Sequence, residues 1–103
     1  MIKPIENNDL TEVNAQDVAV VDFNATWCGP CRMLGPVLEE LSGELEGQVA
    51  FYGCDVDDNG DLASQFGIMS VPTVILLKKG VKTAQQVGFR PKADYLNWIK
   101  SNL

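Results

Sequence analysis

Two cysteines three positions apart constrain this chain more than any other feature of its sequence. Cys28 and Cys31 enclose a Gly-Pro dipeptide. The run before them, 18–24, is mostly apolar and β-branched, which predicts a buried strand, and apolar side chains recur at helical spacing after them. The pair therefore lies on a strand-to-helix turn, with Cys28 at the N-terminus of a helix predicted over 28–46.

This position predicts a reactive first cysteine. The N–H groups of a first helical turn lack partners and the helix dipole adds partial positive charge, so a thiolate at Cys28 is stabilised and the pKa of its thiol is lowered. Residues i and i+3 share a helix face, and α-carbons roughly 5–6 Å apart suit a disulfide. Cys28 and Cys31 can then alternate between two thiols and one disulfide. A purely structural disulfide, or half of a zinc site, is the alternative interpretation.

A single carboxylate interrupts the apolar strand before the motif. Asp22 is flanked by Val21 and Phe23, and burying a carboxyl group without a partner raises its pKa. A carboxyl group that titrates near neutral pH beside a dithiol could take a proton from Cys31. The alternative is that Asp22 marks the strand end and points to water; beside the cysteine motif we favour a buried acid.

Composition limits the class of protein. A chain of 103 residues, 46% of them hydrophobic, predicts one compact domain over 1–103. The net charge of −6, with scattered Lys and Arg, indicates no nucleic-acid partner. No apolar run is long enough to span a membrane and no signal peptide is visible, so we expect a cytoplasmic protein without a membrane partner. A secreted protein whose signal had been removed would look the same.

The sequence gives little support for a metal site or for catalysis by histidine. The chain has no histidine, which excludes a Cys-His protease and the zinc sites that need imidazole. The run 55–60 matches the first half of a calcium loop, but the position of the bidentate glutamate is Phe66. We therefore predict no metal site, and a helix over 59–66. Cys54 is interpreted as a small apolar residue of a buried strand over 49–54; a regulatory or third metal-binding thiol is the alternative.

The rest of the chain supplies further elements. Pro72 directly precedes a strand-like run, 73–77, where its missing N–H is tolerated, and the preceding peptide bond is either an ordinary trans bond or a cis turn. Trp98 is predicted in the core, and Trp27 at the surface beside the sulfurs. The remaining predicted elements are a short helix over 8–15 after a brief extended segment, a hairpin turn at 78–80, an edge strand over 81–88 and a last helix from Pro91 to about Asn102.

The order β-α-β-α-β-α-β-β-α, with Trp27-Cys28-Gly29-Pro30-Cys31 after the second strand, resembles the thioredoxin family over essentially the whole chain. Independent support comes from Asp22-Phe23, Pro36, Val71-Pro72-Thr73, Gly80 and Gly88. The resemblance implies an α/β thioredoxin fold in a single domain, with a central mixed sheet of four to five strands flanked by four helices.

The resemblance also implies a function. It implies a protein-disulfide reductase, a thiol-disulfide oxidoreductase without a bound cofactor, in which Cys28 attacks, Cys31 resolves and Asp22 accepts the proton. A cis Pro72 would face the disulfide. The residues implied to line the flat surface that receives protein substrates are Trp27, Gly29, Pro30, Val71, Pro72 and Gly88. Disulfide-containing proteins and a thioredoxin reductase would be the partners of a monomer.

Two positions depart from the family pattern. Asn24 replaces a common second tryptophan, and Gly53 stands where a lysine often faces the aspartate. These changes bear on reaction rate rather than on reaction type. Competing hypotheses are an extracytoplasmic thioredoxin-like protein that matures secreted proteins, and a thioredoxin fold used as a structural or binding subunit.

Overall fold

The computed structural model describes residues 1–103, and its elements follow the predicted order. The strands are β1 (Lys3–Pro4), β2 (Val18–Asn24), β3 (Ala50–Asp55), β4 (Thr73–Lys78) and β5 (Val81–Val87). The helices are α1 (Thr11–Asn14), α2 (Gly29–Glu44), α3 (Gly60–Gln65) and α4 (Lys92–Ser101). The predicted mixed sheet with four helices is confirmed. No helix is both long and apolar enough to cross a membrane.

The sheet has the strand order β1-β3-β2-β4-β5. β3 pairs in parallel with β1 and β2, whereas β4 runs antiparallel to both β2 and β5. The parallel pair β2–β3 needs a long crossover, which α2 provides. The central β2 is buried along nearly its whole length, as its continuous apolar run predicts, while β5 is an exposed edge. The edge position predicted for 81–88 is therefore confirmed.

Alternate residues of the central strands supply two separate cores, one on each face of the sheet. Under α2 and α4, the buried residues are Val20, Leu34, Leu38, Leu41, Leu45, Val49, Phe51, Val74, Leu76, Tyr95 and Ile99. On the face that carries α1 and α3, they are Ile5, Val13, Ala19, Val21, Phe23, Tyr52, Cys54, Leu62, Ile75 and Leu77. Asp22 has the parity of Val20, so it belongs to the face covered by α2, the helix that carries the cysteines.

Two helix boundaries and the burial of one side chain differ from the prediction. The helix predicted over 8–15 is only Thr11–Asn14, because Asn7 and Asn8 both have a φ of 55°, which an α-helix does not allow. α2 ends at Glu44, just before the turn that contains Gly47. Trp98 is half-buried rather than fully in the core, and its ring meets that of Tyr95 edge-on, with centroids 5.9 Å apart.

Candidate active site

The cysteine motif lies where the sequence predicts it, at the turn from β2 into α2. Cys28 is the N-cap of α2, with extended φ and ψ of −93° and 113°, and Pro30 occupies the first turn. The backbone N–H of Cys31 donates to Sγ of Cys28 at 3.2 Å. One of the first-turn donors of the helix therefore points at the first sulfur, which is the arrangement that stabilises a thiolate there.

Cys28 and Cys31 form a disulfide in this structure, with their α-carbons 5.3 Å apart. Both residues are buried, at 5% and 6% exposure, and pack with Ala25, Val56 and Val71. The neighbours of Cys28 in the chain, Trp27 and Gly29, are both exposed. The first sulfur therefore lies just below the surface, at the N-terminal end of the helix.

Asp22 is the buried acid that the sequence predicts. It is 4% exposed, and its Oδ1 atom has no hydrogen-bond partner within the protein. Burial raises the pKa of this carboxyl group from 3.8 to about 6, and a hydrogen bond from Asn24 partly opposes the rise. A carboxyl group with this pKa exchanges its proton close to neutral pH, as a general base for a thiol requires.

Asp22 and Cys31 open onto the same surface depression, which has a volume of about 430 Å³. Its other lining residues include Asn24 and Thr26 from the strand side, and Arg32, Pro36 and Glu39 from α2. The depression therefore brings the predicted acid and the second cysteine of the motif to one place on the surface. Sequence reasoning did not identify Thr26 or Glu39 here, because nothing in the sequence brings them next to Asp22.

The two departures from the family pattern meet beside Asp22. Gly53 is the partner of Asp22 in the parallel register of β2 and β3. The side-chain amide of Asn24 donates to the backbone oxygen of Asp22 at 3.2 Å and to Oδ2 of Asp22 at 3.5 Å. The carboxyl group thus has an amide neighbour in this chain rather than a cation.

The loop before β4 contacts the sulfur of Cys28. The Val71–Pro72 peptide bond is cis, and the carbonyl oxygen of Val71 lies 3.6 Å from Sγ of Cys28. The backbone N–H of Gly88 donates to the carbonyl of Pro72 at 2.9 Å. The predicted surface residues Val71, Pro72 and Gly88 are thereby connected to one another and to the motif, although the side chain of Pro72 is buried.

Trp27 is exposed beside the motif, as predicted, at 66% of its surface. Its indole Nε1 donates to the carboxylate of Asp57 at 3.0 Å. Asp57 belongs to the run 55–60, which matches only the first half of a calcium loop, and the sequence analysis did not predict its contact with Trp27. The signal was the acidic run itself, which follows the strand adjacent to β2 and so ends at the same edge of the sheet as the motif.

Two further residues near the site were not predicted. The hydroxyl group of Tyr95 on α4 donates to the carbonyl of Gly88 at 2.7 Å and so fixes the end of β5 beside Pro72. Met69, just before the cis peptide bond, is 95% exposed. The apolar spacing of α4 indicates that Tyr95 is buried, but no local pattern indicates its hydrogen-bond acceptor.

Cys54 is separate from the motif. It is a free cysteine with no exposed surface, and it packs on the face of the sheet covered by α1 and α3. Burial raises the pKa of its thiol to about 12. The interpretation of Cys54 as a small apolar residue of a buried strand is confirmed by its complete burial within β3.

Comparison with known proteins agrees with this geometry. The family model described as Thioredoxin matches residues 4–101. A thioredoxin of Staphylococcus saprophyticus is 46% identical over 86 residues, which cover 84% of this chain and 83% of the relative. A protein named Thioredoxin 2 from Chlorobaculum tepidum is 50% identical over 80 residues, 78% of this chain and 73% of the relative. A thioredoxin of Staphylococcus haemolyticus is 40% identical over 102 residues, 99% of this chain and 98% of the relative.

Proposed function

Because this chain belongs to the thioredoxin family, we propose that Cys28 attacks the disulfides of protein substrates and that Cys31 resolves the resulting intermediate. The protein is a protein-disulfide reductase that acts by dithiol–disulfide exchange. The observation that carries the assignment of roles is the disulfide-forming pair at the start of α2, with a buried carboxyl group on the same face of the sheet.

The first step needs a nucleophile that is ionised near neutral pH. Cys28 receives the N–H of Cys31 at the N-terminus of a helix, which supports its role as the attacking thiolate. Its sulfur attacks one sulfur of the substrate disulfide, a mixed disulfide forms, and the other substrate sulfur leaves as a thiolate. One substrate sulfur is then free as a thiolate, and the other is bonded to Cys28.

The second step closes the ring of the motif. Cys31 loses its proton to the carboxylate of Asp22 and its sulfur attacks Sγ of Cys28. The mixed disulfide breaks, the second substrate sulfur leaves as a thiolate, and the Cys28–Cys31 disulfide forms. Two electrons have passed from the dithiol to the substrate, the proton of Cys31 is on Asp22, and the two substrate thiolates take up their protons from solvent. The disulfide in the structure is this product state.

An apolar surface around Cys28 is proposed to receive the substrate chain. We assign to it Trp27, Gly29, Pro30, Val71, Pro72 and Gly88. Trp27 supplies a large exposed ring, and the Val71 carbonyl lies against the first sulfur. An extended substrate segment laid across the loop before β4 would place its disulfide next to Cys28.

Reduction of the Cys28–Cys31 disulfide requires electrons from another protein, since neither sequence nor fold carries a nucleotide-binding motif. A thioredoxin reductase is the proposed donor, and disulfide-containing proteins are the proposed substrates. We further propose that the protein works as a monomer in the cytoplasm; its bacterial relatives are named thioredoxins.

Trapping of the mixed disulfide tests the two cysteine roles. The Cys31→Ser variant, mixed with a disulfide-containing protein such as insulin, should accumulate a covalent complex that non-reducing electrophoresis detects and dithiothreitol dissolves. Cys28→Ser should form no complex and should not reduce insulin. Cys54→Ser is the matched control and should turn over like the wild type. A Cys31→Ser protein that forms no covalent complex would refute the proposed roles.

A further inference from the structure

The side-chain amide of Asn24 is hydrogen-bonded to Asp22. The two residues stand two apart on β2, so their side chains share the face of the sheet that α2 covers. Asn24 is half-buried and belongs to the lining of the depression that Asp22 and Cys31 share. None of the reaction steps described above uses it.

We propose that Asn24 is a positioning residue for Asp22: its side-chain amide holds one carboxylate oxygen and leaves the other free to take the proton from Cys31. The amide Nδ2 lies 3.5 Å from Oδ2 of Asp22 and 3.2 Å from the backbone oxygen of the same residue. Oδ1 is buried and has no partner within the protein. The two oxygens of one carboxyl group therefore have different environments, and Oδ1 is the one without a hydrogen bond.

The glycine on the neighbouring strand lies beside this amide. Gly53 pairs with Asp22, and a methyl group built on it would lie 3.6 Å from Nδ2 of Asn24. A methyl group there would make ordinary van der Waals contact with the amide, so position 53 directly adjoins the Asn24 side chain. The two sequence departures, Asn24 and Gly53, form one arrangement.

The amide also favours the ionised form of the carboxyl group, since a hydrogen bond to a carboxylate stabilises its charge. This opposes burial, which raises the pKa of Asp22 to about 6. The other titratable or charged groups around Asp22 are Cys31, Arg32 and Glu39 from α2, Cys54 and Asp55 from β3, and Tyr95 from α4. β4 contributes no charge here, because its residue opposite Asp22 is Val74.

The test is a titration of Asp22 in the oxidised protein, in which Cys28 and Cys31 do not ionise. The carboxyl carbon of Asp22 is followed by NMR in the wild type, in Asn24→Leu and in Asn24→Gln. Leucine has a shape similar to asparagine but no hydrogen-bond donor. The titration midpoint of Asp22 in Asn24→Leu should therefore rise by about 0.5 pH unit, which is roughly a threefold increase in proton affinity. Glutamine keeps an amide donor and covers the carboxyl group at least as well, so its midpoint should stay near that of the wild type.

Two results would overturn the proposal. One is an unchanged midpoint in Asn24→Leu; the other is an equal rise in Asn24→Gln, which would assign the effect to burial rather than to the amide. Asn24→Ala replaces the leucine variant if that protein does not fold. As a rescue, Gly53→Lys added to Asn24→Leu should return the midpoint to the wild-type value or below, whereas Gly53→Ala should not.

The proposal rests on the proposed role of Asp22, and a second measurement separates the two. The rate at which a mixed disulfide on Cys28 is resolved is measured against pH. In Asn24→Leu the acidic limb should move upward together with the NMR midpoint, and Asp22→Asn should slow resolution by about 10²-fold. If Asp22→Asn resolves as fast as the wild type, Asp22 is not the acceptor and Asn24 positions nothing for catalysis. A slow Asp22→Asn with no effect of Asn24→Leu overturns the role of Asn24 alone.

Discussion

Trp27 is a large exposed side chain directly beside the cysteine motif. Most of its surface faces solvent, and its only polar atom is occupied by Asp57. The ring is therefore held in place with its apolar surface free, which suits contact with a protein rather than with the core. Large exposed aromatic rings of this kind carry much of the binding free energy at interfaces.

We predict that Trp27→Ala discriminates between substrates by their size. For a protein disulfide such as insulin, kcat/KM should fall about tenfold, the equivalent of about 1.4 kcal/mol. For a small disulfide such as 5,5′-dithiobis(2-nitrobenzoate), it should change less than about twofold, because a small molecule reaches Cys28 without covering the ring. Steady-state kinetics with both substrates measure this.

Trp27→Phe is the matched control for that prediction. Phenylalanine keeps an apolar ring but cannot donate to Asp57, so most of the activity on insulin should remain. An equal loss on both substrates in Trp27→Ala would mean that the indole acts on the sulfur chemistry instead of on substrate binding.

At single positions, the sequence was informative where the polarity or the location of a side chain is unusual for the segment around it. Asp22 stands out because a carboxylate interrupts an apolar run, and Trp27 because it lies on a loop beside the cysteines; both were placed correctly. The contact of Asn24 with Asp22 was not predicted. Asn24 and Gly53 were recognised as unusual, but their proximity depends on the register of two strands about 30 residues apart in the chain.

Among the elements, α4 has a role beyond packing on the sheet. Tyr95 is fully buried in the core under α2 and α4, and its hydroxyl group holds the carbonyl of Gly88 at the end of β5. Gly88 has a φ of 89° and in turn binds the Pro72 carbonyl through its N–H. The last helix is thereby connected, through two hydrogen bonds, to the loop that contacts the first sulfur.

We predict that Tyr95→Phe lowers the free energy of unfolding by about 1–2 kcal/mol, because it leaves the Gly88 carbonyl without its protein donor. Urea denaturation measures this. Ser101→Ala, which removes an exposed hydroxyl bond to Asn97 at the end of the same helix, should cost less than about 0.5 kcal/mol. Equal losses in the two variants would show that water replaces the tyrosine hydroxyl at Gly88.

Periodicity predicted which elements exist better than it predicted their ends. The apolar spacing in 28–46 located α2, since Leu34, Leu38, Leu41 and Leu45 all reach the core. The helix over 8–15 was too long, because cap-like residues at its start cannot reveal that Asn7 and Asn8 adopt left-handed backbone conformations. Such conformations depend on local contacts: the backbone N–H of Asn8 donates to the buried side chain of Asn59 at 2.9 Å.

For the whole molecule, the buried carboxyl group of Asp22 makes stability depend on pH. The unfolded chain ionises this group with a pKa of 3.8, whereas in the folded protein the pKa is about 6. The folded state therefore holds the proton more tightly between these values. The contribution of Asp22 to stability is fully present below about pH 4 and is lost as the pH rises to about 6, by about 3 kcal/mol in all.

We predict that Asp22→Asn removes this loss. Measured on the oxidised proteins by urea denaturation, the stability of the variant relative to the wild type should increase between about pH 4 and pH 6, by about 3 kcal/mol, and stay constant above. Asp61→Asn, at an exposed position in the first turn of α3, is the control and should produce no such increase. A pH-independent difference between Asp22→Asn and the wild type would show that the carboxyl group is not shifted by burial.

The overall architecture was predictable because local patterns and the family resemblance agree. Continuous apolar runs gave the central strands, helical spacing gave α2 and α4, and the order of elements matches the family model over 4–101. What could not be predicted is which polar groups come together between a helix and the sheet, as Glu39 of α2 and Asp22 of β2 do in one depression. Those meetings follow from the packing angle of α2 on the strands, which no single segment encodes.

The burial of Cys54 allows a count of reactive thiols to report both the redox state of the protein and whether it is folded. Of the three cysteines, two are joined at the start of α2 and the third has no exposed surface. A thiol-reactive dye should therefore count no sulfurs in the oxidised folded protein and two after mild reduction, with the third appearing only when the sheet opens. The same reagent thus reports two properties of one sample. A count of two thiols indicates reduction of the Cys28–Cys31 disulfide, and a third thiol indicates unfolding.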